Sequence, residues 1–262
     1  MELAAGRFFD AYGASLDAAL EAKVRDIEPW LVPGLVVDRG CGTGAFLRYL
    51  AARDWKVVGI ELSSELTRRH PGMIQANVMD PVFADGFVEN IVLSSVLHEV
   101  YSYNGYSLAP VERCLATCAR ELRPGGRVII RDIWSPEPGP PTHDLEMEPA
   151  VWARFQDFRA RFPGRLGSDG MNESRRTARM SAMTAVEFLS KKDYGRHWEL
   201  ELKEVYCQVP LSAYGEIAAK LELNVLHSQP VRNDWIVENR WKAGVRGDLP
   251  KFTNQLVVLS KP

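Results

Sequence analysis

The chain has 262 residues, enough for one substantial α/β domain that carries an insertion. Its 46% hydrophobic and 25% charged residues match an ordinary globular protein and suggest neither disorder nor membrane residence. With 32 basic against 34 acidic residues and a net charge of -2, it has no overall positive field for a phosphate backbone, which disfavours nucleic acid as a partner.

The elements follow in chain order. Apolar positions at helical spacing (Leu16, Ala19, Leu20, Val24, Ile27) predict a helix near Leu16 to Trp30, stopped by Pro33 and Gly34. Leu35-Val36-Val37 then reads as a buried parallel strand ending at Asp38 and feeding a glycine turn, with helical periodicity resuming over Ala45 to Ala52. A second apolar run, Val57 to Ile60, ends at Glu61 and precedes a helix from Ser64. Further strands are expected at Met73–Ala76, Ile91–Leu93 and Arg127–Ile130, with a helix over Val111–Leu122. This alternation predicts a doubly wound, Rossmann-like, mostly parallel α/β sheet of about seven strands with the last one antiparallel.

After Trp134 the proline-rich Ser135–Pro141 breaks the alternation and opens a region of different character. The expected organisation is an N-terminal helical segment and nucleoside-binding core over 1–134, an inserted substrate-binding cap over 135–210, and completion of the core over 211–262. Trp152, Phe155, Phe158 and Phe162 recur every three or four residues and form one helix face, which packs the cap or lines its substrate side. A helix near Tyr214–Leu221 and strands at Asn224–His227 and Leu256–Leu259 complete the sheet.

No apolar run approaches the about 20 residues that span a bilayer, and Met1 to Leu20 lack the apolar core of a secretory signal. Cys41, Cys114, Cys118 and Cys207 form no CxxC pair and fit reduced thiols in a cytoplasmic setting. His70, His143 and His227 lack ligand spacing, so no metal site is expected.

The chemistry begins where Gly40, Gly42 and Gly44 follow a strand end and precede a helix. Missing Cβ atoms there let backbone N–H groups approach a ligand. Gly40 to Ala45 alone also satisfies the GxGxxA form of a dinucleotide fingerprint. Asp38 at the strand end suits the amino group of a cationic amino acid and repels a pyrophosphate. Glu61 ends the next strand, where a carboxylate can hold both ribose hydroxyls of an adenosine nucleoside.

Together with Glu121-Leu122-Arg123-Pro124-Gly125-Gly126 and the strand after it, the ordered motifs Val36-Val37-Asp38-x-Gly40-Cys41-Gly42-Thr43-Gly44 and Gly59-Ile60-Glu61 resemble the class I S-adenosylmethionine-dependent methyltransferase family over about residues 30 to 134. The resemblance implies S-adenosylmethionine as cofactor and S-adenosylhomocysteine as product. It implies that Asp38 and the backbone of Gly40 and Gly42 hold the methionine portion, with Cys41 beside them, and that Glu61 with the adjoining Leu62 holds the ribose. An acid after the third strand usually binds the adenine amino group in such enzymes. The aligned segment here is Ala76-Asn77-Val78-Met79-Asp80, so Asn77 or Asp80 serves, and Val78 between them belongs to the cofactor set. Ser94 closes the cofactor set at the end of the fourth strand. Arg39 and Cys41 also read as structural, Cys41 as a small packed group.

Catalysis is expected just beyond that strand. His98, with an unperturbed pKa of about 6.5, is the candidate base for an acceptor hydroxyl or ammonium, or else it fixes the turn. Glu99 and Tyr101 are further catalytic candidates. Tyr103, Tyr106, Trp134, Tyr194 and Trp198 are candidates for the substrate pocket. No Asn-Pro-Pro-Tyr-like segment or Pro-Cys pair follows the fourth strand. The expected activity is methylation of a small molecule, on oxygen with His98 as base, while nitrogen and carbon acceptors stay open. Three activities compete with it: an RNA methyltransferase using Arg154, Arg159, Arg161, Arg165, Arg175, Arg176 and Arg179, a NAD-dependent reductase, and a non-catalytic adenosyl-binding subunit.

Overall fold

The computed structural model describes residues 13–68, 70–139, 141–164 and 166–262. Residues 1–12 of the N-terminal segment, Pro140 of the proline-rich stretch, Arg165 of the cap arginines and the side chains of Leu16 and Ala19 lie outside the described residues.

The core runs in order through α1 (Gly13–Ile27), β1 (Leu35–Arg39), α2 (Ala45–Ala51), β2 (Lys56–Glu61), α3 (Ser64–Thr67), β3 (Met73–Gln75), β4 (Val88–Ser94), α4 (Leu97–Ser102), α5 (Leu108–Glu121) and β5 (Leu122–Ile133). β6 (Thr142–Met147), α6 (Pro149–Arg161), β7 (Ser168–Asn172), β8 (Thr177–Ser181), α7 (Ala182–Lys191) and α8 (Trp198–Glu201) come next. The chain ends through α9 (Ala213–Lys220), β9 (Asn224–Val231), α10 (Asp234–Ile236), β10 (Val245–Gly247) and β11 (Asn254–Ser260).

Seven strands form one sheet in the order β3-β2-β1-β4-β5-β11-β9. The pairs from β3 to β5 are parallel, and β11 runs antiparallel to both β5 and β9. This is the doubly wound α/β sheet expected, with the last strand inserted between β5 and the edge strand β9. Its central strands are apolar on both faces because helices cover both. Val36, Val92 and Ile129 pack with Val24 and Ile27 of α1 on one side, while Val37, Ile91, Leu93 and Val128 pack with Val111, Leu115 and Cys118 of α5 on the other.

A second, four-stranded sheet of order β10-β6-β8-β7 carries its own core. Three of its strands and helices α6 to α8 arise within 135–210, whereas β10 is contributed from beyond residue 210. Trp152, Phe155, Phe158 and Phe162 are buried there against Phe188, with Phe155 and Phe188 ring centres 4.9 Å apart. The aromatic stripe therefore packs the interior of this layer, the cap. Tyr101 touches the apolar clusters of both layers, which places α4 at their junction.

Candidate functional site

The glycine turn closes on β2. Gly40 and Cys41 donate their N–H groups to the Ile60 carbonyl at 2.8 and 3.1 Å, and Gly44 donates to the Cys41 carbonyl at 3.0 Å. Gly42 donates to Glu61 Oε2 at 2.9 Å. These donors are engaged within the protein, so what the glycines supply is backbone shape. Gly40 has φ +77°, and a Cβ there would sit 2.5 Å from Val96 Cγ2. Only glycine fits both the left-handed conformation and the approach of β4's exit.

Glu61 is thereby locked beside the turn, its other oxygen accepting from the Ser63 N–H at 2.9 Å. Each carboxylate oxygen can accept a further donor. Asp38 is fully buried, with Oδ2 3.2 Å from Lys23 Nζ and Oδ1 without a partner. Cys41 is buried, and burial followed by the charges of Asp38 and Glu61 pushes its thiol well up, so it is an inert packing group. Leu62 is exposed directly after β2, and Ser94 is buried at the end of β4.

The segment after β3 is fixed from beneath by a fully buried ion pair. Arg39 contacts the Glu121 carboxylate and donates to the Val78 and Asp80 carbonyls at 2.6 and 3.0 Å. Glu121 in turn accepts from the Val82 and Phe83 N–H groups at 2.7 and 3.1 Å. Arg39 thus sets the path of residues 78–83, in keeping with a structural role. Asn77 accepts from the Met79 N–H at 3.0 Å, and Asp80 is solvent-exposed.

His98 opens α4 and is buried. Its Nδ1 lies 2.7 Å from Asp132 Oδ1, and its backbone N–H donates to Asp132 Oδ2 at 3.2 Å. Asp132, near the end of β5, therefore caps the helix and orients the ring. Nε2 points the other way, 3.6 Å from Glu204 Oε2 of the cap. The Tyr206 ring lies edge-on to the imidazole at 4.8 Å. Burial pushes the His98 pKa down, but the charge and hydrogen bond of Asp132, with Glu204 and Glu99, outweigh it and raise it to about 10. The ring is consequently an imidazolium near neutral pH, rather than a free imidazole of ordinary pKa.

Glu99 is solvent-exposed. Partial desolvation, opposed by the charge of His98 and reinforced by Glu204, Glu61 and Asp132, raises its pKa to about 8.

Three hydrogen bonds bind α4 and the turn after it to the cap. Tyr103 donates to Glu204 at 2.7 Å, Tyr106 to the Lys203 carbonyl at 2.9 Å, and the Val205 N–H to Ser102 Oγ at 2.8 Å. Behind them the cap holds a buried polar chain: Tyr206 contacts Glu201, and the Lys191 ammonium pairs with Glu187 and lies 3.2 Å from the Tyr206 ring centre. The structure thus gathers His98, Glu99, Tyr101, Tyr103 and Tyr106 at one junction. Trp134 packs edge-on against Phe252, with ring centres 5.3 Å apart. Tyr194 lies under the Arg240 guanidinium at 4.6 Å. Trp198 is buried in the cap's own core, donating to Asp157 at 2.6 Å with Arg154 over its ring.

Asp132 and Glu204 are absent from the candidates read from sequence. Asp132 carried the same signal as Asp38 and Glu61, an acid at the end of a buried strand. Glu204 carried none, because only tertiary structure brings it to His98.

Residues 37–130 match a family model described as a methyltransferase domain. No curated protein sequence matches the chain. Among solved structures, an S-adenosylmethionine-dependent methyltransferase from Mesorhizobium loti superimposes with a TM-score of 0.55 at 17% identity, covering 93% of this chain and 96% of that one. The Burkholderia thailandensis 1,6-didemethyltoxoflavin-N1-methyltransferase, solved with 1,6-didemethyltoxoflavin and S-adenosylhomocysteine, gives 0.51 at 15% identity over 98% and 86% of the two chains. A glycopeptide N-methyltransferase complexed with S-adenosylmethionine gives 0.51 at 14% identity over 92% and 86%. At these identities the structures speak for a shared fold.

Proposed function

We propose that the chain is a class I S-adenosylmethionine-dependent methyltransferase, a reading supported by the methyltransferase-domain match over residues 37–130, and that it methylates a small molecule held between the sheet's carboxyl edge and the cap, at an oxygen whose proton His98 accepts once its own imidazolium has been deprotonated. The residues fit that cofactor: Asp38 keeps a buried oxygen with no donor, and Glu61 presents two oxygens with acceptor capacity to spare. Asp38 would take the ammonium of the methionine end and Glu61 the ribose hydroxyls, with the Arg39-anchored segment Asn77–Asp80 and the adjoining Leu62, Val78 and Ser94 around the base. When bound, the cofactor supplies an electrophilic methyl group on a sulfonium.

The observation that carries the acceptor reading is the line Asp132–His98–Glu204. Asp132 fixes the ring through Nδ1, so that Nε2, once it has lost its proton, is left for the acceptor on the cap side, where Glu204 stands at 3.6 Å. With a conjugate acid of pKa about 10, His98 is free to accept a proton only at alkaline pH, where a phenol-like hydroxyl of similar pKa is the matching acceptor. Tyr101, Tyr103 and Tyr106 would border that acceptor and, with the cap, exclude water. A nitrogen acceptor is the second reading, supported by the Glu204 carboxylate, which would attract the acceptor's ammonium form before it loses its proton.

The cap arginines lend less support to an RNA substrate. Arg161 is paired with Asp157 and Glu199, and Arg179 with Asp144 at 2.8 Å, which lowers the positive field they present. A radiolabelled-cofactor screen of phenols, amines and RNA tests the reading. Label transfer to a phenol that falls about 100-fold or more in His98→Ala, with S-adenosylhomocysteine affinity retained, is the expected result. Transfer to RNA alone, or an unchanged rate in His98→Ala, refutes it.

A further inference from the structure

The lone oxygen of Asp38 has a charged neighbour. Lys23 reaches it from α1, placing Nζ 3.2 Å from Asp38 Oδ2 and 4.6 Å from the Phe46 ring centre. The Lys23 side chain keeps 17% of its surface exposed while that of Asp38 keeps none, so the ammonium is the outward member of the pair. Nearby, Arg131 binds Asp26 at 2.8 Å and reaches Asn254 at 3.4 Å. What remains beside β1 is an anion with one oxygen free and a cation with donors to spare.

That arrangement is complementary to an α-amino acid, whose ammonium and carboxylate sit on one carbon. A lone Asp38 would attract the ammonium and repel the carboxylate next to it. A lysine at its shoulder removes that conflict. We propose that Lys23 binds the α-carboxylate of the cofactor's methionine end while Asp38 Oδ1 takes the α-ammonium. α1 then belongs to the binding site and is more than a cover for the sheet. The proposal rests on the cofactor assignment above and is independent of the acceptor.

Calorimetric titration with three ligands separates the parts. S-adenosylhomocysteine carries both charged groups, its decarboxylated analogue S-adenosyl-3-thiopropylamine keeps only the ammonium, and 5′-methylthioadenosine has neither. The wild type is expected to prefer the first over the second by about 10-fold or more, as for a charge-assisted hydrogen bond. In Lys23→Met the preference falls to within about twofold, and in Lys23→Arg most of it returns. Affinity for 5′-methylthioadenosine stays the same in all three proteins, which shows that the fold and the adenosine half are intact. Equal binding of the first two ligands by the wild type overturns the proposal without any variant having to fold. So does an undiminished preference in Lys23→Met. Failure of the wild type to bind any of the three refutes the cofactor reading itself and is distinct from both.

Discussion

The proton on His98 makes the folded protein sensitive to alkali. In the unfolded chain an imidazole titrates near pH 6.5. In the fold, burial pushes the value down, but Asp132 with Glu204 and Glu99 raises it to about 10. Between those values the folded protein retains a proton that the unfolded chain has lost. The stabilisation is fully present below about pH 6.5 and is lost as pH rises through about 10. Each pH unit in that window removes about 1.4 kcal/mol. Raising the pH from 7 to 9 therefore lowers stability by about 2.7 kcal/mol through this group alone, which is about 5–10 °C in Tm for a chain of this size. Glu99 and Glu201, raised mainly by burial to about 8 and about 7, act with the same sign but over windows that close earlier. Thermal melts followed by circular dichroism at pH 7 and 9 measure the effect, with His98→Gln as the control that keeps polarity and removes the titration. The variant starts from a lower Tm and loses much less of it between the two pH values. Parallel losses in the two proteins would refute the reasoning.

Further perturbations have directions set by the same contacts. Glu204→Gln removes one of the carboxylates that raise His98, so the alkaline rise of kcat/KM for methyl transfer shifts to lower pH. A profile identical to that of the wild type contradicts the assignment. Arg39→Met leaves the Glu121 carboxylate buried without its partner, which destabilises by about 3–5 kcal/mol. Urea denaturation reads the loss, and hydrogen exchange reads faster opening of residues 78–83. Gly40→Ala forces a methyl group to within 2.5 Å of Val96 Cγ2 at a φ of +77°, and the strain of about 1–3 kcal/mol is accompanied by weaker S-adenosylhomocysteine binding in calorimetry. Full affinity in that variant means the turn has room the structure does not show.

The parts of the fold that sequence reveals are those whose signal is local. β1, β2, β4 and β5 are short apolar runs bounded by turn residues, and a strand buried on both faces has to look like that. Asp38 and Glu61 stand out as acids that end such runs, and Asp132 could have been read by the same rule. What stayed hidden depends on contacts between distant segments. The three residues of β10 carry no periodicity of their own, and they become a strand only by pairing with β6. Trp198 reads from sequence as a candidate for the substrate pocket, whereas in the fold Trp198 and nearby Lys191 are interior groups of the cap, matched to Asp157 and Glu187. The pKa of His98 is the same kind of quantity, since its neighbours in sequence do not include Asp132 or Glu204.

The central claim is that Asp38, the glycine turn and Glu61 form a methyl-donor site, and calorimetric titration of the purified protein with S-adenosylhomocysteine tests it most directly. The expected result is binding to one site per chain at micromolar concentration, abolished in Asp38→Ala and in Glu61→Ala, with both variants still folded by circular dichroism. Absence of binding by the wild type, or undiminished binding by both variants, would contradict it.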